Sequence, residues 1–177
     1  MPTSSDSENS KLIVQDVPLL SLDRKSIVDK ITLSLQEKNR DHFISVEAGP
    51  CCECQIFEGG SAKMALDSLR QSLEKSGLLI AVEGALVYAV YSRMCHDMSQ
   101  GYTGYNYKNR EIGDKTIPKS VSTFKIVSPV EYPFVSSLTD QQEYADNSDM
   151  WRKIIAQRDG SFRSLKSILL SIFQSRK

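Results

Sequence analysis

No apolar run in this sequence comes near the roughly 20 residues that a membrane-spanning helix needs; the longest are a few residues each. The opening decapeptide, MPTSSDSENS, holds no apolar segment of the signal-peptide kind. Net charge is missing too. The 22 Lys and Arg residues are balanced by 22 Asp and Glu, so no whole-molecule field steers the chain to nucleic acid or to an anionic membrane. Four cysteines in 177 residues are too few for a disulfide scaffold, and reduced thiols in a cytoplasmic protein are the expectation. Histidine occurs only as His42 and His96, which leaves little to complete a metal site or a thiol–imidazole pair. Neither Gly-x-Gly-x-x-Gly nor a glycine loop ending in Lys-Ser/Thr is present. The expectation is no cofactor, no metal, no nucleic-acid partner and no membrane partner.

What is present alternates between strand and helix signals. Residues 1–10 are Ser-rich and read as a disordered tail; residues 11–177 read as one α+β domain, long enough to bury a core. Leu12, Ile13, Val14, Val17, Leu19 and Leu20 suit a short first strand, with Pro18 arguing against a central place in a sheet. Asp23 fits as the cap of a helix to about Lys38, which puts Ile27, Val28, Ile31 and Leu35 on one face. His42 to Ala48 alternates like a strand, Gly49-Pro50 turns it, and Cys51 to Phe57 reads as a strand returning beside it. Ser61 caps the clearest helix: Ala62, Ala65, Leu66, Leu69 and Leu73 recur at helical spacing, Arg70, Glu74 and Lys75 fall to solvent, and Gly77 ends it. Val121 to Val127 alternates like a strand, and Pro129 and Pro133 bracket an extended segment. Thr139-Asp140-Gln141-Gln142 matches a capping box and opens a helix through Tyr144, Met150, Trp151, Ile154 and Ile155. A last amphipathic helix, Ser161 to Gln174, puts Phe162, Leu165, Ile168, Leu169, Ile172 and Phe173 on a face better suited to core packing than to a membrane surface. The architecture these elements suggest is a mixed or mainly antiparallel sheet with helices packed largely on one face.

The chain is organised around Leu78 to Tyr107, LLIAVEGALVYAVYSRMCHDMSQGYTGYNY. Two apolar runs, Leu78–Val82 and Ala85–Tyr91, are split by Glu83-Gly84, as in a buried hairpin or a strand–turn–strand. A polar stretch follows. Met94 and Met98 are four apart and are expected to face the core beneath one helical turn. Cys95-His96-Asp97 has the side chains of a thiol nucleophile and its helpers, but neighbours in sequence point apart, and only His42 is left to serve Cys95. Cys51 and Cys54 have C-x-x-C spacing. A metal would need two more ligands from Cys95, His96 and His42, and in a strand the two thiols face opposite ways; small buried hydrophobes are the simpler reading. No catalytic residue is therefore assigned. The Gly101–Tyr107 stretch suits recognition: Tyr102, Tyr105 and Tyr107 as aromatic anchors, with Asp97 and Glu111 answering a basic partner surface. The alternative is an ordinary loop whose tyrosines cover a sheet edge.

Gly84-Ala85, Val90-Tyr91 and the Met-x-x-Asp-Met-x-x-Gly of Met94, Asp97, Met98 and Gly101, followed by Tyr105, resemble a family of small bacterial α/β proteins. The likeness extends over Ser61 to Ile155, through the apolar helix ending at Gly77, then Val135, Gln141-Gln142 and Trp151. Ser99 stands where that family favours Gly, and the step from Tyr91 to Met94 is one residue short. Such proteins are similar to the immunity proteins of toxin systems. What the resemblance implies is a non-enzymatic protein-binding module that neutralises a cognate bacterial toxin. The competing class is a cysteine-dependent enzyme or translocated effector using Cys95 or the Cys51–Cys54 cluster.

Overall fold

The computed structural model describes residues 11–47, 55–108 and 118–147. Its first half is a run of antiparallel hairpins: β1 (Leu12–Ser21), β2 (Ile27–Lys38), β3 (Asp41–Glu47) and β4 (Gln55–Gly59). The helix predicted from Asp23 to Lys38 is instead a turn followed by β2. Ile31, Leu33 and Leu35 are all buried, two residues apart, while Lys30 and Gln36 are exposed. That is a strand period; the four-residue spacing of Ile27, Ile31 and Leu35 is equally a multiple of two, so it did not discriminate. β-branched Ile27, Val28, Ile31 and Thr32 then favour the pleat. Asp23 serves the turn rather than a helix, accepting Ser21 Oγ at 2.5 Å and the Lys25 N–H at 3.1 Å.

Ser61 caps α1 (Ala62–Lys75) as predicted, accepting the Met64 N–H on its side chain, and Gly77 closes the other end at φ +77°. Ala62, Ala65, Leu66, Leu69 and Leu73 are buried, and the chain returns through β5 (Leu78–Ile80) to the far side of β1. The resulting order is β4-β3-β2-β1-β5, so β1 is interior despite Pro18. The ladder tolerates the proline because the Pro18 carbonyl points to where β5 has ended, accepting the Ala81 N–H at 2.9 Å. Its nitrogen, on the same side of the strand, lies beyond the last β1–β5 pair, Leu19 with Ile80, and leaves the β2 ladder untouched.

α1 packs tightly against β4 at Gly59. A Cβ there would lie 2.4 Å from the Ala65 nitrogen and 2.7 Å from the Met64 carbonyl carbon. Both are backbone atoms that cannot swing aside. Gly59→Ala is expected to cost about 2 kcal/mol, seen as a lower urea midpoint with an unchanged slope. A wild-type midpoint would mean that α1 lifts off β4 freely.

Leu78–Tyr91 does not fold back on itself as a hairpin. After β5 comes a 3-10 turn, Glu83–Ala85, and then β6 (Ala89–Val90), which belongs to a second sheet. α2 (Arg93–Ser99), β7 (Thr103–Asn106) and β8 (Lys119–Ser122) follow, and the sheet order is β6-β7-β8, all antiparallel. The fold is thus α+β with antiparallel pairing throughout the described residues, as expected in class, but built on two sheets. The predicted strand Val121–Val127 is displaced: β8 stops at Ser122 because Thr123 turns in, its N–H donating to the Tyr102 carbonyl and its hydroxyl to the Gly101 carbonyl. Pro129–Phe134 is a 3-10 turn, not an extended segment; Pro129 presets a helical φ at its start. α3 (Leu138–Asn147) begins earlier than the capping box implied. Ser137, not Thr139, caps it, its side chain accepting the Asp140 N–H at 3.0 Å. One apolar core joins both sheets, with Leu19, Leu33, Ile44, Leu66, Leu86 and Phe124 among its members. No described helix is long and apolar enough to cross a membrane. The predicted tail, the Cys51–Cys54 part of the returning strand, and the helical readings beyond Asn147 lie outside the described residues.

Candidate functional site

A cleft of about 690 Å³ opens where α1, β6, α2 and α3 converge. Two glycines of the central motif pack against residues of its wall. Gly101 has φ +79°, and a Cβ there would lie 2.8 Å from the Lys63 nitrogen; a Cβ on Gly104 would lie 2.8 Å from the Tyr91 ring. Both are therefore needed for close approach: the α2–β7 connection lies on the first turn of α1, and Tyr91 lies on β7. The Tyr91 hydroxyl pairs with Thr123 Oγ1 at 2.9 Å, and Ser61 Oγ lies 3.2 Å from His96 Nδ1.

A charged stripe runs along α1 next to the apolar one. Lys63, Asp67, Arg70 and Glu74 fall at i, i+4, i+7 and i+11, with alternating sign. Lys63 Nζ contacts Asp67 Oδ1, and Arg70 Nη1 reaches the same oxygen at 3.3 Å. Arg70 was predicted to face solvent; it is 1% exposed. α3 and the segment before it cover it, with Nη1 donating to Gln141 Oε1 at 2.6 Å and Nη2 to the Ser136 carbonyl at 2.9 Å. Gln141 Nε2 in turn lies within 3.2 Å of the carbonyls of Gly84, Leu86 and Ala89. Glu74 Oε1 accepts the Leu138 N–H at 2.9 Å, tying α1 to the start of α3. Burial pushes the Lys63 ammonium down to about 8, against the opposing pull of Asp67. Burial likewise raises the Tyr91 phenol and lowers the Arg70 guanidinium from their ordinary values. Lys63 Nζ stands 5.1 Å from the centre of the Tyr91 ring.

The residues expected from sequence are distributed differently. Asp97 is exposed on α2 and lines the cleft. Tyr102 is half-buried and packs edge-on against His42 and Phe124, at ring-centre distances of 5.5 and 6.1 Å. Tyr107 is buried, and half-buried Tyr105 meets it at 6.5 Å. Both this pair and Tyr102 flank or occupy β7, the central strand of the second sheet, so the tyrosines share one locality without forming one exposed patch. Glu111 lies outside the described residues. Met98, expected in the core, is 81% exposed. Cys95 is buried and accepts a hydrogen bond from Ser92 Oγ at 3.3 Å, while the His96 ring meets Ser61; the adjacent thiol and imidazole serve different partners. Lys63, Asp67, Arg70 and Gln141 were not anticipated. Their signal was legible as the alternating charges beside an apolar stripe, a pattern that also describes an ordinary solvated helix face.

No protein-family model matches the chain, and no curated protein matches it.

Proposed function

We propose that this chain is a non-enzymatic protein-binding module of the cytoplasm, an immunity protein that neutralises a cognate bacterial toxin, and that the rim of the cleft is its contact face. The observation that carries this is the mixture of side chains on that rim. Met64, 54% exposed on α1, lines the cleft together with Asp97, and Met98, the next residue along α2, is 81% exposed. Methionine is adaptable and enriched at interfaces, and a flanking carboxylate selects a basic partner and speeds encounter. The resemblance of Gly84–Tyr105 to small bacterial proteins akin to immunity proteins supplies the toxin half of the proposal.

The toxin encoded beside this gene is the partner to test. Co-expression should protect cells from it, and the two proteins should elute as a 1:1 complex. Changing Met64 and Met98 together to Asp should leave the circular dichroism spectrum intact and weaken binding by about 10-fold or more, the size of effect of a lost interface anchor. Absence of both complex and protection with every neighbouring toxin would overturn the proposal.

A further inference from the structure

We propose that Lys63 is an imine-forming amine, and that the cleft it lines captures a small aldehyde or ketone as a reversible covalent adduct. This goes beyond the contact face proposed above and stands independently of it. The amine is placed unusually for a lysine. Its side chain is 7% exposed, yet it borders a cleft of about 690 Å³ instead of lying on the open surface. Apolar walls are provided by Ala89, Val90 and Leu138, which suit a short alkyl group.

The groups around the amine fit the chemistry. From its own helix it faces Asp67 and Arg70; Tyr91 approaches from the end of β6; α2 brings His96 and Asp97 to the same cleft, and α3 brings the neutral Gln142. Arg70 shares the Asp67 carboxylate with Lys63, so part of the countercharge that would stabilise an ammonium is already engaged. Burial and that cationic neighbour both favour the neutral amine, whose ordinary value of 10.5 falls to about 8. With that value about a tenth of Lys63 is unprotonated at pH 7, against less than about one part in 1,000 for an ordinary exposed lysine. A desolvated lysine beside a second cation is a recognised way to prepare an amine for attack on a carbonyl.

The step balances without any further reagent. The Nζ lone pair adds to the carbonyl carbon, and the carbonyl π electrons go to its oxygen, which is protonated to a carbinolamine hydroxyl. Nitrogen loses two protons and the departing oxygen gains two. Asp67, in contact with Nζ and 33% exposed, relays the first from nitrogen to the alkoxide. Water protonates the hydroxyl as it leaves, and the resulting iminium returns a proton to water as the neutral imine forms. The products are one imine and one water; hydrolysis reverses the step.

The test uses the full native chain. It is treated at pH 7 with acetaldehyde and cyanoborohydride, which reduces an imine to an ethylamine, and the sites are mapped by peptide mass spectrometry. Lys63 should be ethylated at least about 10-fold faster than exposed Lys75 and Lys119, with a rate that rises to half its maximum near pH 8. In denaturant the preference should vanish. Labelling of Lys63 no faster than Lys75, or only after unfolding, would overturn the proposal and reduce Lys63 to a structural partner of Asp67. No variant is needed, so a folding defect cannot obscure the outcome, and the toxin experiment can fail or succeed without affecting it.

Discussion

Arg70→Met should destabilise the protein by about 3–5 kcal/mol, the cost of removing one member of a buried charged network. The guanidinium is 1% exposed and holds three elements together: its own helix through Asp67, α3 through Gln141 Oε1 at 2.6 Å, and the segment before α3 through the Ser136 carbonyl at 2.9 Å. Methionine fills much of the space but donates nothing. The Ser136 carbonyl and Gln141 Oε1 would then be buried without a donor, and each such loss costs about 1–3 kcal/mol. Urea unfolding followed by circular dichroism is the measurement. The companion change Gln141→Leu removes the amide that also reaches three carbonyls of the 84–89 segment. Because Arg70 and Gln141 share one hydrogen bond, the double variant should lose at least about 0.5 kcal/mol less than the sum of the singles. A loss under 1 kcal/mol for Arg70→Met would show that water replaces the guanidinium, and that the two helices are not joined through it.

The second large effect is in alkaline solution, where stability should rise with pH before it falls. Lys63 has a folded value of about 8 against about 10.4 in the unfolded chain. Between these values the unfolded state binds more protons than the folded one, so the free energy of unfolding increases with pH. Below about pH 8 both states carry the ammonium, and the folded state bears the full cost of burying it. The gain across the window is roughly 2–3 kcal/mol. Tyrosines act with the opposite sign. Burial raises Tyr91, and burial together with Glu131 raises Tyr88, so from about pH 10 the unfolded chain loses phenolic protons that the folded chain retains. Stability should therefore peak between about pH 9 and 10. Thermal unfolding at fixed ionic strength between pH 7 and 11 would trace the curve, and Lys63→Met should remove the rise while keeping the fall. A wild-type curve flat from pH 7 to 10 would mean that Lys63 keeps its ordinary proton affinity in the fold.

Both effects depend on the charged stripe of α1, whose burial is decided by residues far along the chain. Lys63, Asp67, Arg70 and Glu74 have the spacing and alternating sign of a solvated helix face. What covers Arg70 lies 66 and 71 residues further on, at Ser136 and Gln141. With Ser137 as the cap, Gln141 lies in the first turns of α3, where its amide reaches Arg70 and the carbonyls of Gly84, Leu86 and Ala89.

The sequence by itself determined what local physics determines. Alternation set β3, the serine cap and apolar stripe set α1, and Gly77 set its end, because each is decided by neighbours within a few residues. The α+β class followed from the same signals. Only the tertiary structure decided β2, where a spacing of four suits both periods and pairing with β1 and β3 made the choice. It also decided the division of Leu78–Tyr107 between two sheets, the burial of Arg70 and Lys63, and the exposure of Met98. Those outcomes depend on which distant surface reaches a side chain first, and pairing across a sheet or burial under a helix leaves no periodic mark on the residues that receive it.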